Sequence, residues 1–288
     1  MNKFLFMAAL ILFLSNFSHA QDARDIMQKV IDRNDGTTEI SRVKLSTCRV
    51  VKKGKKYICA DSPRVKVLDM VRKDYGPNEK DHKTVSIIIA PTSEKGIGFL
   101  QYDYDQRDKD ADQWLYLSAL GKVKRIVSGN ENEPKTGSFF GTEFSYEDME
   151  SIHLEDYSYK ILGSETYHNR PCWVIESVPG KKRAKKSNYS RFMDWIDKKR
   201  FIALKSILFN RQGKKIKKIY SKNIERIDNI LVARKTLVFN LETSRRTFLT
   251  YEKIAFNKKV SDNFLTQRTL TDSVFRESTL KKYQTYLK

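Results

Sequence analysis

From Val43 onward the chain is built from short runs in which every second residue is apolar or aromatic, and most of these runs are separated only by tight turns. A period of two sends alternate side chains to opposite faces of a β-strand. A strand that follows its neighbour after a short connection must run antiparallel to it, because a parallel crossover needs about a dozen residues or more. The runs are Val43–Val51, Lys56–Cys59, Val65–Val71, Val85–Ala90, Ile97–Tyr104, Gln113–Leu117 and Val123–Val127, then Tyr157–Leu162, Cys172–Val178, Tyr189–Ile196, Phe201–Phe209, Ile216–Tyr220, Ile230–Leu241 and Arg246–Phe256. They predict a mainly β chain of the α+β class: a long antiparallel meander with few helices. Such a sheet closes, pairs into a sandwich, or curls around whatever covers its apolar face.

One helix is expected before the strands, over Ala23–Asn34. Ile26, Met27, Val30 and Ile31 fall on one face there, and Asp35-Gly36 ends it. Ahead of it, residues 1–20 have the form of a secretory signal peptide: Lys3, an apolar run from Phe4 to Leu14 too short to span a bilayer, and a small-residue stop at Ser18-His19-Ala20. The mature chain is therefore expected to begin at Gln21, to be exported, and to lack a lipid anchor, since no cysteine stands at the cleavage point. Residues 21–288 are expected to form one domain, because no Pro- or Gly/Ser-rich linker divides them. The polar stretches Asp103–Asp112 and Ser128–Gly137 read as long loops.

The formal net charge is +20, and Lys3 leaves with the leader. Such a chain seeks anions. Export removes nucleic acid from the partners and leaves anionic lipid head groups, near which each exposed Lys or Arg contributes about 1 kcal/mol. The runs Lys181-Lys182-Arg183 and Arg211–Lys215 fall at expected hairpin tips, where a solvated turn is the simpler reading of either run alone.

Three cysteines remain in the mature chain. With a two-residue turn at Lys53-Gly54, Cys48 and Cys59 stand opposite one another within disulfide range, and Cys172, in an apolar run, is expected to be a buried free thiol. No catalytic constellation is present. His82, His153 and His168 are isolated, and there is no H-x-x-x-H, C-x-x-C, G-x-S-x-G, P-loop or EF-hand loop. The acids Asp103, Asp105, Asp108, Asp110 and Asp112 alternate in a loop, but Arg107 and Lys109 among them argue for solvation over a metal. No catalytic residue, metal site or cofactor is expected.

The most specific stretches are Gln113-Trp114-Leu115-Tyr116-Leu117-Ser118-Ala119-Leu120-Gly121-Lys122-Val123-Lys124-Arg125-Ile126 and Ser138-Phe139-Phe140-Gly141-Thr142-Glu143-Phe144-Ser145-Tyr146-Glu147-Asp148-Met149, followed by the closing Val260–Arg268. Together they resemble the LolA-like outer-membrane lipoprotein-sorting family. Ser118 stands where that family usually has proline, Lys124 where it has arginine, and Phe140 where it has methionine. The resemblance carries no catalytic residues. It implies a single curved antiparallel sheet forming a LolA/LolB-like half-barrel, with a few helices in its concave face and an apolar cavity for acyl chains.

That cargo makes physical sense. At about 0.8 kcal/mol per buried CH₂, a chain of about 16 carbons costs on the order of 12 kcal/mol to leave in water. Large apolar side chains on a curved sheet would shield it, and the chain has 16 Phe, 14 Tyr and 3 Trp. Trp114 and Tyr116 share one strand face, as core or as cavity wall alike. Phe139, Phe140 and Phe144 follow a Pro/Gly-containing loop and fit a lid-like helix opening at Thr142 or Ser145, at the mouth of a lipid-binding cavity. The expected function is a periplasmic carrier or chaperone for the acyl chains of a lipoprotein or lipid, moving them toward the outer membrane. The alternative is an accessory subunit docking on an envelope exporter of the resistance-nodulation-division type.

Overall fold

The structure, a computed structural model, describes residues 23–106, 109–130 and 132–287. The expected leader, its cleavage before Gln21, and Arg107 and Asp108 of the acidic loop lie outside these residues. The expected strands are present, several of them longer than their apolar runs. They are β1 (Thr38–Lys53), β2 (Lys56–Cys59), β3 (Arg64–Tyr75), β4 (Asp81–Ala90), β5 (Gly98–Asp103), β6 (Asp112–Leu117), β7 (Lys122–Ile126), β8 (Tyr157–Tyr167), β9 (Arg170–Pro179), β10 (Tyr189–Asp197), β11 (Ala203–Asn210), β12 (Lys215–Ile227), β13 (Ile230–Asn240) and β14 (Arg245–Phe256). They join one large sheet in the order β7-β6-β5-β4-β3-β1-β14-β13-β12-β11-β10-β9-β8, with β2 on β1. Each pairing whose register is described is antiparallel, and most neighbours in sequence pair, but β2 and β3 both pair with β1 and not with each other, and β7 and β8 stand at the two ends of the order. β1 also pairs with β14, which joins the two ends of the strand series.

The described residues divide into two compact units: one from residues 23–33 and 152–220, the other from residues 34–151 and 221–287. In the first, helix α1 (residues 23–31) lays Ala23, Ile26 and Met27 onto Tyr159, Ile175 and Ile196. It stops three residues short of the expected end, and an Arg24–Glu155 ion pair ties its first turn to the chain ahead of β8. Cys172 is a buried free thiol whose Sγ donates to the Arg170 carbonyl at 3.4 Å, and burial raises its pKa, which makes it a poor nucleophile. The run at Lys181 lies in the connection of the β9–β10 hairpin, as expected, but Lys181–Lys186 form a short helix, α2, and not a tight turn.

In the second unit the sheet separates its alternate residues. One face carries Ile40, Val71, Val85, Ile87, Leu100 and Ala255. Two C-terminal helices, α3 (Gln267–Thr271) and α4 (Ser273–Gln284), cover it with Leu270, Leu280 and Tyr283, together with Phe264, Leu265 and Leu287. Burial of each such large apolar side chain contributes about 1.5–3 kcal/mol. The close approach of α3 depends on Gly98, where a Cβ would come within 2.8 Å of Leu270 Cδ2 and 2.9 Å of Ile87 Cδ1. Asp272 caps α4 by accepting from the Phe275 amide at 2.9 Å.

The hairpin between β1 and β2 turns at Gly54-Lys55, one residue later than expected. Lys53 pairs with Lys56 and Cys59 with Val50, and Gly54, at φ +59°, takes the first central position of the turn. Cys48 and Cys59 are therefore diagonal neighbours. The chain bends away after Cys59, their Cα atoms lie 5.7 Å apart, and a disulfide joins them.

Candidate functional site

The other face of the second unit carries no α-helix among the described residues. The segment after β7 crosses it as a strap from Ser138 to Met149, held by two 3-10 turns, Phe139–Gly141 and Glu147–Met149. The expected lid-like helix is reduced to these turns. The Thr142 hydroxyl donates back to the Phe139 carbonyl at 2.7 Å and closes the first of them instead of opening a helix. Ser145 opens the second: its amide donates to Asp148 Oδ2 at 2.7 Å and its Oγ accepts from the Asp148 amide at 3.2 Å.

The strap fills its sheet face with aromatic rings. Phe139 meets Phe99 of β5 edge-on at 5.3 Å, Tyr146 stacks on the other side at 5.8 Å, and Phe140 packs against Phe139 at 4.4 Å. Phe139, Phe140 and Phe144 are all buried. Phe140 holds φ +49°, ψ +33°, a left-handed conformation that costs a side chain of this size on the order of 1 kcal/mol or more. Side chains anchor the strap. Glu143 accepts from Arg245 Nε at 2.7 Å and Asn240 Nδ2 at 3.0 Å, while Gln113 and Gln101 donate to the carbonyls of Tyr146 and Met149 at 3.0 and 2.6 Å.

Beside the strap the same face holds a cavity of about 300 Å³. Its floor follows from the strand register. One cross-strand row runs Met70, Ser86, Phe99, the next Glu39, Arg72, Thr84, Gln101, and the next Asp74, His82, Asp103. Met149, Ser151, Tyr251 and Asp35 complete the wall. Arg72 Nη1 donates to Asp35 at 2.9 Å and lies 3.0 Å from Asp74; Nη2 donates to the Asp35 and Gly36 carbonyls at 2.8 and 2.7 Å. Burial raises the Glu39 and Asp103 carboxyls, against the nearby Arg72 charge for Glu39 and the Gln101 and Ser151 hydrogen bonds for Asp103. The charge of Glu39, then burial, raises the Tyr251 phenol. Most of the side chains that line this cavity are polar, whereas the family resemblance implies an apolar one. With the apolar alternates of β3, β4 and β5 committed to α3 and α4, their polar partners turn to this face. A smaller hollow of about 70 Å³ lies by the strap, lined by Leu45, Thr47, Lys66 and Phe140 among others.

The five aromatic residues expected to bind lipid do not form one group. Phe139, Phe140 and Phe144 come together in the strap, but Trp114 and Tyr116 lie on the opposite face, packed with Leu100 and Tyr102 against the C-terminal helices. They are half-buried against that core cluster, because Trp114 pairs with Leu100, and β5 presents that residue to α3 and α4. The sequence reading missed Glu39, Arg72 and Ser86, and placed in a solvated loop Asp103, which is buried at the end of β5. Their signal was the polar half of the period-two pattern, which reads as solvent-facing until a second layer is known to cover it.

An open antiparallel sheet with C-terminal helices on one face defines the class: the LolA-like fold. A crystal structure of a putative outer membrane lipoprotein-sorting protein domain from Vibrio parahaemolyticus is similar over 88% of this chain and 99% of that one, at TM-score 0.75 and 25% identity. A DUF1329 family protein from Desulfovibrio piger is similar over 88% and 99%, at TM-score 0.77 and 21% identity. A LolA superfamily protein from Nitrosomonas europaea is similar over 86% and 97%, at TM-score 0.59 and 16% identity. A family model described as that of an uncharacterized protein matches residues 80–272, and the chain belongs to that family, whose fold is LolA-like. No curated protein matches.

Proposed function

We propose that this chain is a periplasmic, non-enzymatic carrier that shelters the acyl chain of a lipoprotein or lipid, with residues 21–288 acting as one carrier domain. The strap supports this reading most directly. An aromatic patch around Phe99 covered by a twelve-residue coil with two short turns, and not by a helix, has a cover whose removal breaks little regular backbone hydrogen bonding. Phe139 and Phe140 lie against Phe99, and an acyl chain that displaced them would replace apolar contact with apolar contact. The LolA-like fold of a putative lipoprotein-sorting domain supports the same cargo class. No helix among the described residues is long and apolar enough to cross a membrane.

Anionic membrane is the partner that the first unit suits. In α2 the pair Lys181/Lys185 places like charges one turn apart, which destabilises a helix in water, and the helix buries none of its residues. Arg211, from the second basic run, donates to the Ser187, Ala184 and Lys185 carbonyls at 2.8, 3.3 and 2.5 Å, bringing the two runs together. An anionic surface relieves that repulsion.

Displacement of a fluorescent fatty acid from purified protein, together with mass spectrometry of its organic extract, tests the carrier role. Saturable binding of fatty acid or acylated peptide is expected. A protein that binds neither and extracts without lipid, yet co-purifies with a membrane transporter, is an exporter accessory subunit instead.

A further inference from the structure

The polar cavity of the second unit has an unbalanced charge. Three carboxyl groups, Asp35, Glu39 and Asp103, line it with one guanidinium, and both Nη atoms of Arg72 are already engaged with Asp35, Asp74 and the 35–36 carbonyls. His82 turns Nδ1 to Asp74 at 2.8 Å. Glu39 accepts from Ser41 Oγ at 2.7 Å, and Asp103 from Gln101 and the Ser151 amide at 2.6 and 3.0 Å, all uncharged donors. Asp35 is exposed, but a buried Asp103 and a half-buried Glu39 that meet no free cation run against the composition of a chain of net charge +20. Burying an unpaired carboxylate is costly unless a cation or further donors meet it.

Ser86 is the second, independent sign. Its side chain lines the cavity, the residue is 1% exposed, and its Oγ has no hydrogen-bond partner among the described residues. A buried hydroxyl left unpaired costs about 1–3 kcal/mol. β4 presents it toward the void beside Thr84, where a bound group would satisfy it. The volume, about 300 Å³, is at the small end of ligand sites and suits a head group or a small soluble molecule.

We propose that this cavity binds a protonated amine carrying an adjacent hydrogen-bonding group, with Glu39 and Asp103 as its counter-charges and Ser86 Oγ as a neutral partner. The amine comes either from an amino-alcohol lipid head group or from a free soluble amine. In the first case the inference rests on the carrier reading; in the second it stands without it.

The test measures binding of four probes to the full chain by calorimetry: ethanolamine, spermidine, lysophosphatidylethanolamine and lysophosphatidylglycerol. The amine-bearing probes are expected to bind, and Glu39→Gln to weaken them about tenfold, the loss of one charge-assisted contact. Ser86→Ala should weaken them severalfold while leaving the melting temperature of the free protein unchanged or raised, which a merely structural hydroxyl would not do. Binding of the lysophosphatidylethanolamine alone assigns a lipid head group, and binding of the free amines alone assigns a soluble ligand. Equal binding of the phosphatidylglycerol and ethanolamine lipids overturns the amine, as does binding of no amine or binding indifferent to both variants. A fatty-acid assay on the same samples separates the two readings: fatty-acid binding lost with amine binding intact overturns only the carrier, and the converse overturns only the amine site.

Discussion

Glu143 in the strap accepts a 2.7 Å hydrogen bond from Arg245 Nε at the start of β14, a contact between residues 102 apart in sequence. The carboxylate is 8% exposed and its partner 30%, and the Glu143 amide donates to Thr247 Oγ1 at 3.0 Å. The strap is thus fastened at its middle by one charged residue. Glu143→Ala should cost about 2 kcal/mol, below the about 3–5 kcal/mol of a fully buried pair because solvent reaches Arg245. It should also quicken fatty-acid uptake. Urea denaturation and stopped-flow fluorescence measure the two effects, and a variant destabilised with unchanged uptake would leave the strap a purely structural cover.

Charge on either aromatic group should give opposite outcomes. Phe140→Glu sits in a cover that is expected to move, so the protein should stay folded while fatty-acid binding falls at least tenfold. Trp114→Glu places a carboxylate under α3 and α4 and should destabilise by about 3 kcal/mol or more. Circular dichroism melts of the two variants, read beside their binding curves, check the contrast. A Trp114→Glu protein that melts like the wild type would contradict the core assignment.

Asp194 gives a pH signature. Burial between Ile175 and Ser206 pushes its carboxyl up to about 6 from the usual 3.8, against the Ser206 hydrogen bond. Its folded-state pKa is raised, so between roughly pH 4 and 6 the folded chain holds a proton that the unfolded chain has lost. Stability contributed by this group is therefore greatest at low pH and falls as pH rises to about 6, by at most about 3 kcal/mol. Asp194→Asn should be the more stable protein at pH 7 and the two should converge near pH 4. Chemical denaturation of both proteins at several pH values reads the difference.

The α2 patch should bind vesicles containing anionic lipid and release them as salt rises, since a Debye length of about 8 Å at physiological ionic strength screens exposed charge. Lys181→Glu with Lys185→Glu should reduce cosedimentation severalfold at low salt without lowering the melting temperature, because the helix buries none of its residues. Binding to neutral vesicles of equal strength would remove electrostatics as the cause.

Opening the Cys48–Cys59 disulfide frees a loop of sequence separation 11, worth about 2–3 kcal/mol in the loop-entropy account. Cys48→Ala with Cys59→Ala should be destabilised by that amount, and non-reducing peptide mapping of the wild type should find the linked pair with Cys172 alkylatable only after unfolding.

The positions of the strands were written in the sequence because a period of two is local: each residue's alternation and each turn signal depend on neighbours a few positions away. The same locality made α1 legible and kept Phe139, Phe140 and Phe144 together. It failed by one residue at the first hairpin, where Gly54 takes the first and not the second place in the turn, and a one-residue shift moves every partner across. Alternation also states that two sets of residues oppose one another without saying which set meets a second layer. The docking of α3 and α4 on the face of Leu100, and of the strap on the face of Phe99, decided that Trp114 and Tyr116 pack against the helix-covered core and that Glu39, Arg72, Ser86 and Asp103 share a cavity. Those residues stand on separate strands, β1, β3, β4 and β5. Only lateral pairing across the sheet brings them side by side.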